Sequence, residues 1–359
     1  MIGVAIIGSG QIALANHMPG FALCPDTKVV ALCDSNPEVV AKAAQTTGIK
    51  ATCTDYREVL RRDDVTAVLI ATPNYMHAPI ALAAIAAGKH VMCEKPIAMN
   101  LPEAMEMLRA ADKANVRHMT AFTYRFVPAM RYMEHLVHSG AIGTPYHFRA
   151  QRFQDWGARN LGWRQVKKLA GTGELGDMLS HRIDYSHLLI GPIRRLVADL
   201  RRFIDDRSGN PSDLDDWVAI LADFDHDVTG VLESTKLATG RGEGHRGQDV
   251  CEVNGSEGSI VYSTQRPLEL RIGKRGDADL KTVPVPVSFL VYPGSPRDPN
   301  AGDPLATFRY DQDFEFIDAI RNQRPCRPSF VDGARAQAVM DAAVISGEER
   351  RWVDVPVVS

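Results

Sequence analysis

Short apolar runs separated by amphipathic stretches fill the first third of the chain. Ile2–Ile7 is one, Lys28–Cys33 (KVVALC) a second, Thr66–Ala71 (TAVLIA) a third, His90–Cys93 a fourth and Arg117–Ala121 a weaker fifth. Runs this short, and apolar throughout, predict strands buried on both faces. Between them Ile12–Leu23, Pro37–Thr46, His77–Ala87 and Pro102–Ala114 carry helical spacing. Pro37 and Pro102 suit first turns, Asn36 is a good N-cap, and Gly48 and Gly88 stand where helix ends favour glycine. Strand and helix in regular alternation predict a doubly wound parallel α/β sheet as a first domain over residues 1–122.

After Phe122 the pattern changes, and a second α/β domain is predicted over 123–359. Pro128–His138 reads as a helix, Tyr146–Phe153 as an alternating strand, 155–171 as irregular, and Asp177–Ile190 as a helix. Strands follow at Trp217–Phe224, Val228–Lys236, Asp249–Asn254, Ser259–Tyr262 and Leu268–Ile272. Tight turns such as Asn254-Gly255-Ser256-Glu257-Gly258 separate them and predict a mostly antiparallel sheet. Residues 284–306 hold six prolines and read as a long loop before helices at Asp311–Asn322 and Val331–Ser346.

Composition narrows the function. A length of 359 residues suits two domains, and a net charge of −3 gives no reason to expect a nucleic-acid or anionic-membrane partner. The basic pairs Arg194-Arg195 and Arg201-Arg202 read as solvated edges. No apolar run approaches the ~20 residues that span a bilayer. The apolar start has no basic segment before it, and six scattered cysteines without a CxxC pair fit a reduced compartment. The expectation is a cytoplasmic protein without a metal site.

Chemistry enters at the strand ends. Gly8-Ser9-Gly10-Gln11-Ile12-Ala13 is a G-x-G-x-x-A sequence between the first strand and first helix. Gly8 permits the turn, Gly10 admits a pyrophosphate, Ala13 lets helix and strand approach, and the helix start at Gln11 and Ile12 offers free amides. Asp34 ends the second strand, where an acid accepts the adenosine ribose hydroxyls; with Ser35 beside it and no cation near, it favours NAD over NADP. Thr72 and Asn74 follow the third strand, with His77 three residues on, and Glu94-Lys95-Pro96 follows the fourth. These belong to the same carboxyl-terminal edge and are expected at the cofactor. In the segment 171–184, Asp177 and His181 are spaced i, i+4, with Asp184 continuing that face. His181 is a natural proton acceptor, and Lys95 offers positive charge to a developing alkoxide. His181 and His187 are six apart and do not share a face, which speaks against a metal.

Taken in order, these motifs resemble the glucose–fructose oxidoreductase / inositol dehydrogenase / MocA (Gfo/Idh/MocA) family over nearly the whole chain. Tyr124-Arg125-Phe126-x-Pro128 resembles its link into the second domain. The resemblance implies a Rossmann domain followed by a domain with a large, open, mostly antiparallel sheet, through which such proteins form dimers or tetramers. It implies that Lys95, Asp177 and His181 are catalytic: His181 accepts the hydroxyl proton, Lys95 holds the reacting oxygen, and Asp177 positions substrate or His181. The substrate is then a sugar, anhydrosugar, glycoside or cyclitol, with Tyr124, Arg125, Arg152, Trp156, Trp163 and Arg164 as further substrate-facing candidates. Ser180 and Arg182 depart from the family's usual apolar neighbours of the histidine. An NAD-assisted glycosidase and a nucleotide-sensing regulator stay open beside the dehydrogenase.

Overall fold

The computed structural model describes residues 1–244 and 247–358. They form two compact units: 1–123 with 291–334, and 124–290 with 335 to the C-terminus. In the first, six strands pair in parallel: β1 (Ile2–Ile7), β2 (Thr27–Cys33), β3 (Thr52–Cys53), β4 (Ala67–Ile70), β5 (His90–Cys93) and β6 (His118–Thr120). Their order, β3-β2-β1-β4-β5-β6, reverses direction between β1 and β4. Crevices at such switch points are where open α/β sheets hold ligands. Register sharpens this: Ile7 pairs with Cys33 and Ile70, and Ile70 with Cys93. Gly8, Asp34, Ala71 and Glu94 therefore leave the sheet along one edge.

Local chemistry explains the helices. The Asn36 side chain accepts the amides of Glu38 and Val39, and Gly48 closes that helix in the left-handed region at φ 75°. The first helix does not run evenly from Ile12 to Leu23. It opens into a π turn over Ala13–His17, then continues as an α-helix over Met18–Leu23. Pro19 has no amide to give to a carbonyl four residues back, and its ring would crowd that carbonyl. The widened turn, in which the Met18 amide donates to the Ala13 carbonyl, resolves the conflict. The pattern left unassigned both β3 and a one-turn helix at Tyr56–Leu60, which is capped by Asp55. Residues 291–334 were expected with the second domain but belong to the first unit, where the helix Tyr310–Arg321 packs on Met18–Leu23.

The second unit is built on nine strands: β7 (Pro145–Phe153), β8 (Ile193–Arg201), β9 (Trp217–Phe224), β10 (Thr229–Thr235), β11 (Gln248–Gly255), β12 (Gly258–Ser263), β13 (Glu269–Lys274), β14 (Lys281–Pro284) and β15 (Val353–Asp354). They lie in the order β14-β13-β12-β11-β7-β10-β9-β8-β15, antiparallel except for the parallel pair β7–β10. Phe148, Ala150, Ile220, Ala222, Leu232 and Val253 are buried on one face, while Arg149, Leu221 and Thr229 on alternate positions are exposed. β8 escaped the pattern because its register shifts between Ile193 and Arg195, which breaks the alternation. Arg194 and Arg195 are exposed there and pair with Asp225 and Asp223. Among the described residues no helix is long and apolar enough to cross a membrane. All six cysteines are free thiols.

Candidate active site

The sheet edge of the first unit is shaped for a dinucleotide. Gly8 sits at φ 95°, and a Cβ there would lie 2.5 Å from the Ala71 backbone, so the chain can turn here only as glycine. Gly10 is the opposite case: a Cβ would meet no protein atom within 4 Å, leaving its face open to a close-packed ligand. The Asp34 carboxylate is held by two amides, Ser9 N–H to Oδ2 at 2.9 Å and Asn36 N–H to Oδ1 at 3.0 Å. Both of its oxygens are thus fixed in place by the backbone. Gln11, Ile12 and Ser35 are exposed at the same edge. The Thr72 hydroxyl oxygen is buried and has no hydrogen-bond partner among the described residues, as expected of a group awaiting a ligand. Asn74 is buried in the short turn after it. These features fit NAD.

His77 does something else. Its ring is buried, with Nδ1 2.8 Å from the Pro96 carbonyl and Nε2 3.0 Å from the Thr72 carbonyl, so it ties the loop after β4 to the loop after β5. Burial pushes its pKa down, against the pull of both carbonyls. Expected at the cofactor, it is fully buried, with both ring nitrogens at backbone carbonyls of the two loops. Glu94 likewise faces inward. Its Oε2 accepts the Lys95 amide at 3.1 Å, and its Oε1 lies 3.0 Å from Nε2 of His17, a residue the sequence reading did not single out. Lys95 is half-buried at the tip of this turn.

In the second unit the motif segment 171–184 is held near its start at Gly173, whose amide and that of Leu175 both donate to the Asp215 carboxylate, at 2.7 and 2.8 Å. A second π turn, Leu175–Leu179, carries Asp177 half-buried and runs into the helix Ser180–Leu189. The first seven residues of that helix are all buried, so its charges must be paired. They are. Arg182 forms a two-pronged ion pair with Asp249, and Asp184 receives Arg125 at 2.8 and 2.5 Å. Tyr124 joins the two halves of this arrangement: its ring meets His181 edge-on at 4.6 Å, and the Arg182 guanidinium lies 5.3 Å from its centre. Burial works against the Asp249 charge, but Arg182 and Arg152 overrule it and hold its carboxyl below the usual range.

The remaining predicted residues divide. Arg125, expected to face substrate, is committed to Asp184. Arg152 is buried, donating to the Gly244 carbonyl at 2.6 Å and lying 3.6 Å from Asp249, so it supports the Arg182 pair. Trp156 packs against Lys236 and Arg159, and Trp163 is half-buried with Arg164 stacked 4.4 Å from its ring centre. Glu174 was not expected at all. Burial pushes its carboxyl up to about 8, with the Lys236 ammonium 3.9 Å away opposing. Ser234 is bonded both to Glu174 and to the Arg152 carbonyl, and one hydroxyl proton cannot serve both; a protonated Glu174 completes the set.

Residues 2–122 match the model of the oxidoreductase family with an NAD-binding Rossmann fold, and 130–261 match the Gfo/Idh/MocA C-terminal domain. The levoglucosan dehydrogenase of Pseudarthrobacter phenanthrenivorans is 33% identical, over 100% of this chain and 99% of its own. The chain belongs to the Gfo/Idh/MocA oxidoreductase family. Another member, the inositol 2-dehydrogenase of Rhizobium meliloti, is 26% identical over 98% of both chains. The solved levoglucosan dehydrogenase in complex with NADH and levoglucosan superposes at a TM-score of 0.90, covering 99% of this chain and 100% of that one. The chain is an NAD-binding oxidoreductase. Its Asp34 leads to an expected result: Asp34→Ala weakens NAD by on the order of 10-fold or more, measured by fluorescence titration, and narrows the gap to NADP. Unchanged nucleotide selectivity contradicts the role of Asp34.

Proposed function

We propose that this chain is an NAD-dependent dehydrogenase that oxidises a secondary hydroxyl of a pyranose-like sugar, with 1,6-anhydrosugars such as levoglucosan the class to try first. The observation that carries the substrate class is the end-to-end likeness to levoglucosan dehydrogenase. Bound NAD supplies a hydride acceptor at C4 of its nicotinamide. For the chain's own residues, we assign Lys95 to hold the reacting oxygen, His181 to take its proton, and Asp177 to orient substrate or His181. Tyr124, set edge-on to His181 and backed by Arg182, limits the tilt of the imidazole. Trp163 with Arg164 offers an aromatic face and a cation suited to a sugar ring.

The test is a panel of sugars, anhydrosugars and inositols offered with NAD and then NADP, followed by the absorbance of reduced nicotinamide. Turnover with an anhydropyranose supports the reading; turnover confined to inositols moves the substrate class. Net glycoside cleavage without NADH favours the glycosidase alternative. Our reading also places the protein in the cytoplasm, in keeping with six free thiols, and as a homodimer or homotetramer joined through the half-exposed face of the nine-stranded sheet, on which Leu221 is exposed. Light scattering of the purified protein reads the assembly, and a monomer overturns that part.

A further inference from the structure

One cluster of buried charges in the first unit is left over by the chemistry above. His17 lies between two carboxylates, Nε2 3.0 Å from Glu94 Oε1 and Nδ1 2.7 Å from Asp313 Oδ1. Its ring is 1% exposed and the Asp313 side chain 0%. The three come from distant parts of the chain: the π turn after β1, the end of β5, and the helix Tyr310–Arg321. Room has been made for them. A Cβ on Gly20 would lie 2.0 Å from Asp313 Oδ2, and the π turn sets the position of His17 at its end. π turns of this kind recur at functional sites.

The hydrogen-bond count fixes the charge state. A neutral imidazole has one N–H to give, and here both ring nitrogens face carboxylate oxygens. With both carboxyls ionised, only the imidazolium satisfies both. Burial opposes that charge, but Asp313 and Glu94 outweigh it and push His17 up to about 10. Asp313 is pushed up to about 6 by burial in spite of His17, and Glu94 is held below its usual range. Around neutrality, then, Asp313 balances the His17 charge. The other titratable neighbours are Lys95, His77 and Cys93 on the Glu94 side and Cys24 beside Asp313; burial pushes both thiols up, so they stay neutral, and pushes His77 down.

We propose that His17 is a positioning residue for Lys95: with Asp313 behind it, it grips one oxygen of Glu94, whose other oxygen receives the Lys95 amide. The turn bearing Lys95 is thereby anchored to the first helix and to the helix Tyr310–Arg321 rather than to its own loop. The effect on turnover rests on Lys95 holding the reacting oxygen; the charge state of His17 does not.

The experiment has two arms. In cofactor-free protein, histidine ring NMR between pH 5.5 and 9 is expected to show His17 as an imidazolium throughout; a neutral ring at pH 7 overturns the proposal even if no sugar is ever turned over. In the second arm His17→Gln is compared with the parent and with Lys95→Ala. Expected are a drop in kcat of about 10-fold, a KM for sugar within about 2-fold, and no further loss when His17→Gln is added to Lys95→Ala. A purely structural rivet instead lowers the melting temperature and leaves kcat intact well below it, or multiplies the Lys95→Ala loss; either result overturns the proposal. Asp313→Asn, which keeps an acceptor toward His17, is the second variant should His17→Gln not fold. It is expected to bring the His17 titration down into the NMR range, and an unmoved titration counts against the cluster.

Discussion

Lys95→Ala and His181→Ala are each expected to lower kcat by on the order of 10²-fold or more, with the dissociation constant for NAD nearly unchanged. Lys95 leaves the sheet one residue past Glu94, beside the nucleotide edge, and its ammonium is suited to a developing alkoxide. His181 is buried at the head of its helix with Tyr124 against its ring, a site that fixes an imidazole rather than leaving it to solvent. Because both are assigned to the same hydroxyl, the double variant is expected to lose much less than the product of the single losses. Steady-state kinetics on the four proteins reads this. Full turnover in both single variants removes the assignment, and strictly multiplicative losses remove the shared-oxygen part of it.

Asp249→Ala is expected to destabilise the second unit by about 3–5 kcal/mol, because it strands a charge rather than merely deleting a contact. Arg182 has no exposed surface, and among the described residues no other carboxylate pairs with it. Replacing both partners by apolar residues of similar size, Arg182→Met with Asp249→Leu, is expected to recover much of that stability. It is not expected to recover turnover, since Tyr124 and through it His181 lose the guanidinium they rest on. The pH dependence has a definite sign. The folded-state pKa of Asp249 is depressed, so its contribution is present above the ordinary carboxylate range and is lost as pH falls below it. Thermal melts of the parent and Asp249→Ala should therefore converge below about pH 4. Equal stability of Asp249→Ala and parent at pH 7 contradicts this account.

How legible each part was depends on how far apart the cooperating residues lie. The Rossmann sheet was readable because its strands are apolar on both faces and its helices carry local punctuation, Asn36 and Gly48 among them. β3, β14 and β15 were not, being two to four residues long and set at sheet edges, where short runs carry no period. β8 was hidden by its bulge. Both π turns were read as plain helix, although Pro19 marks the conflict at the first.

The sequence by itself determined the alternation of strand and helix in the first domain, the glycine turn at Gly8, the acid Asp34 at the end of β2, the Lys95 and His181 motifs and, through them, the family. Those signals act within one turn, one strand end or one helix face, so neighbours in sequence carry them. Only the tertiary structure decided that His77 ties two loops, that Arg125 and Arg152 are consumed by Asp184 and Asp249, and that 291–334 returns to the first unit. It alone brought His17, Glu94 and Asp313 together. A buried charge must find its counter-charge wherever the fold brings one, and a separation of 296 positions between His17 and Asp313 leaves no local trace of that pairing.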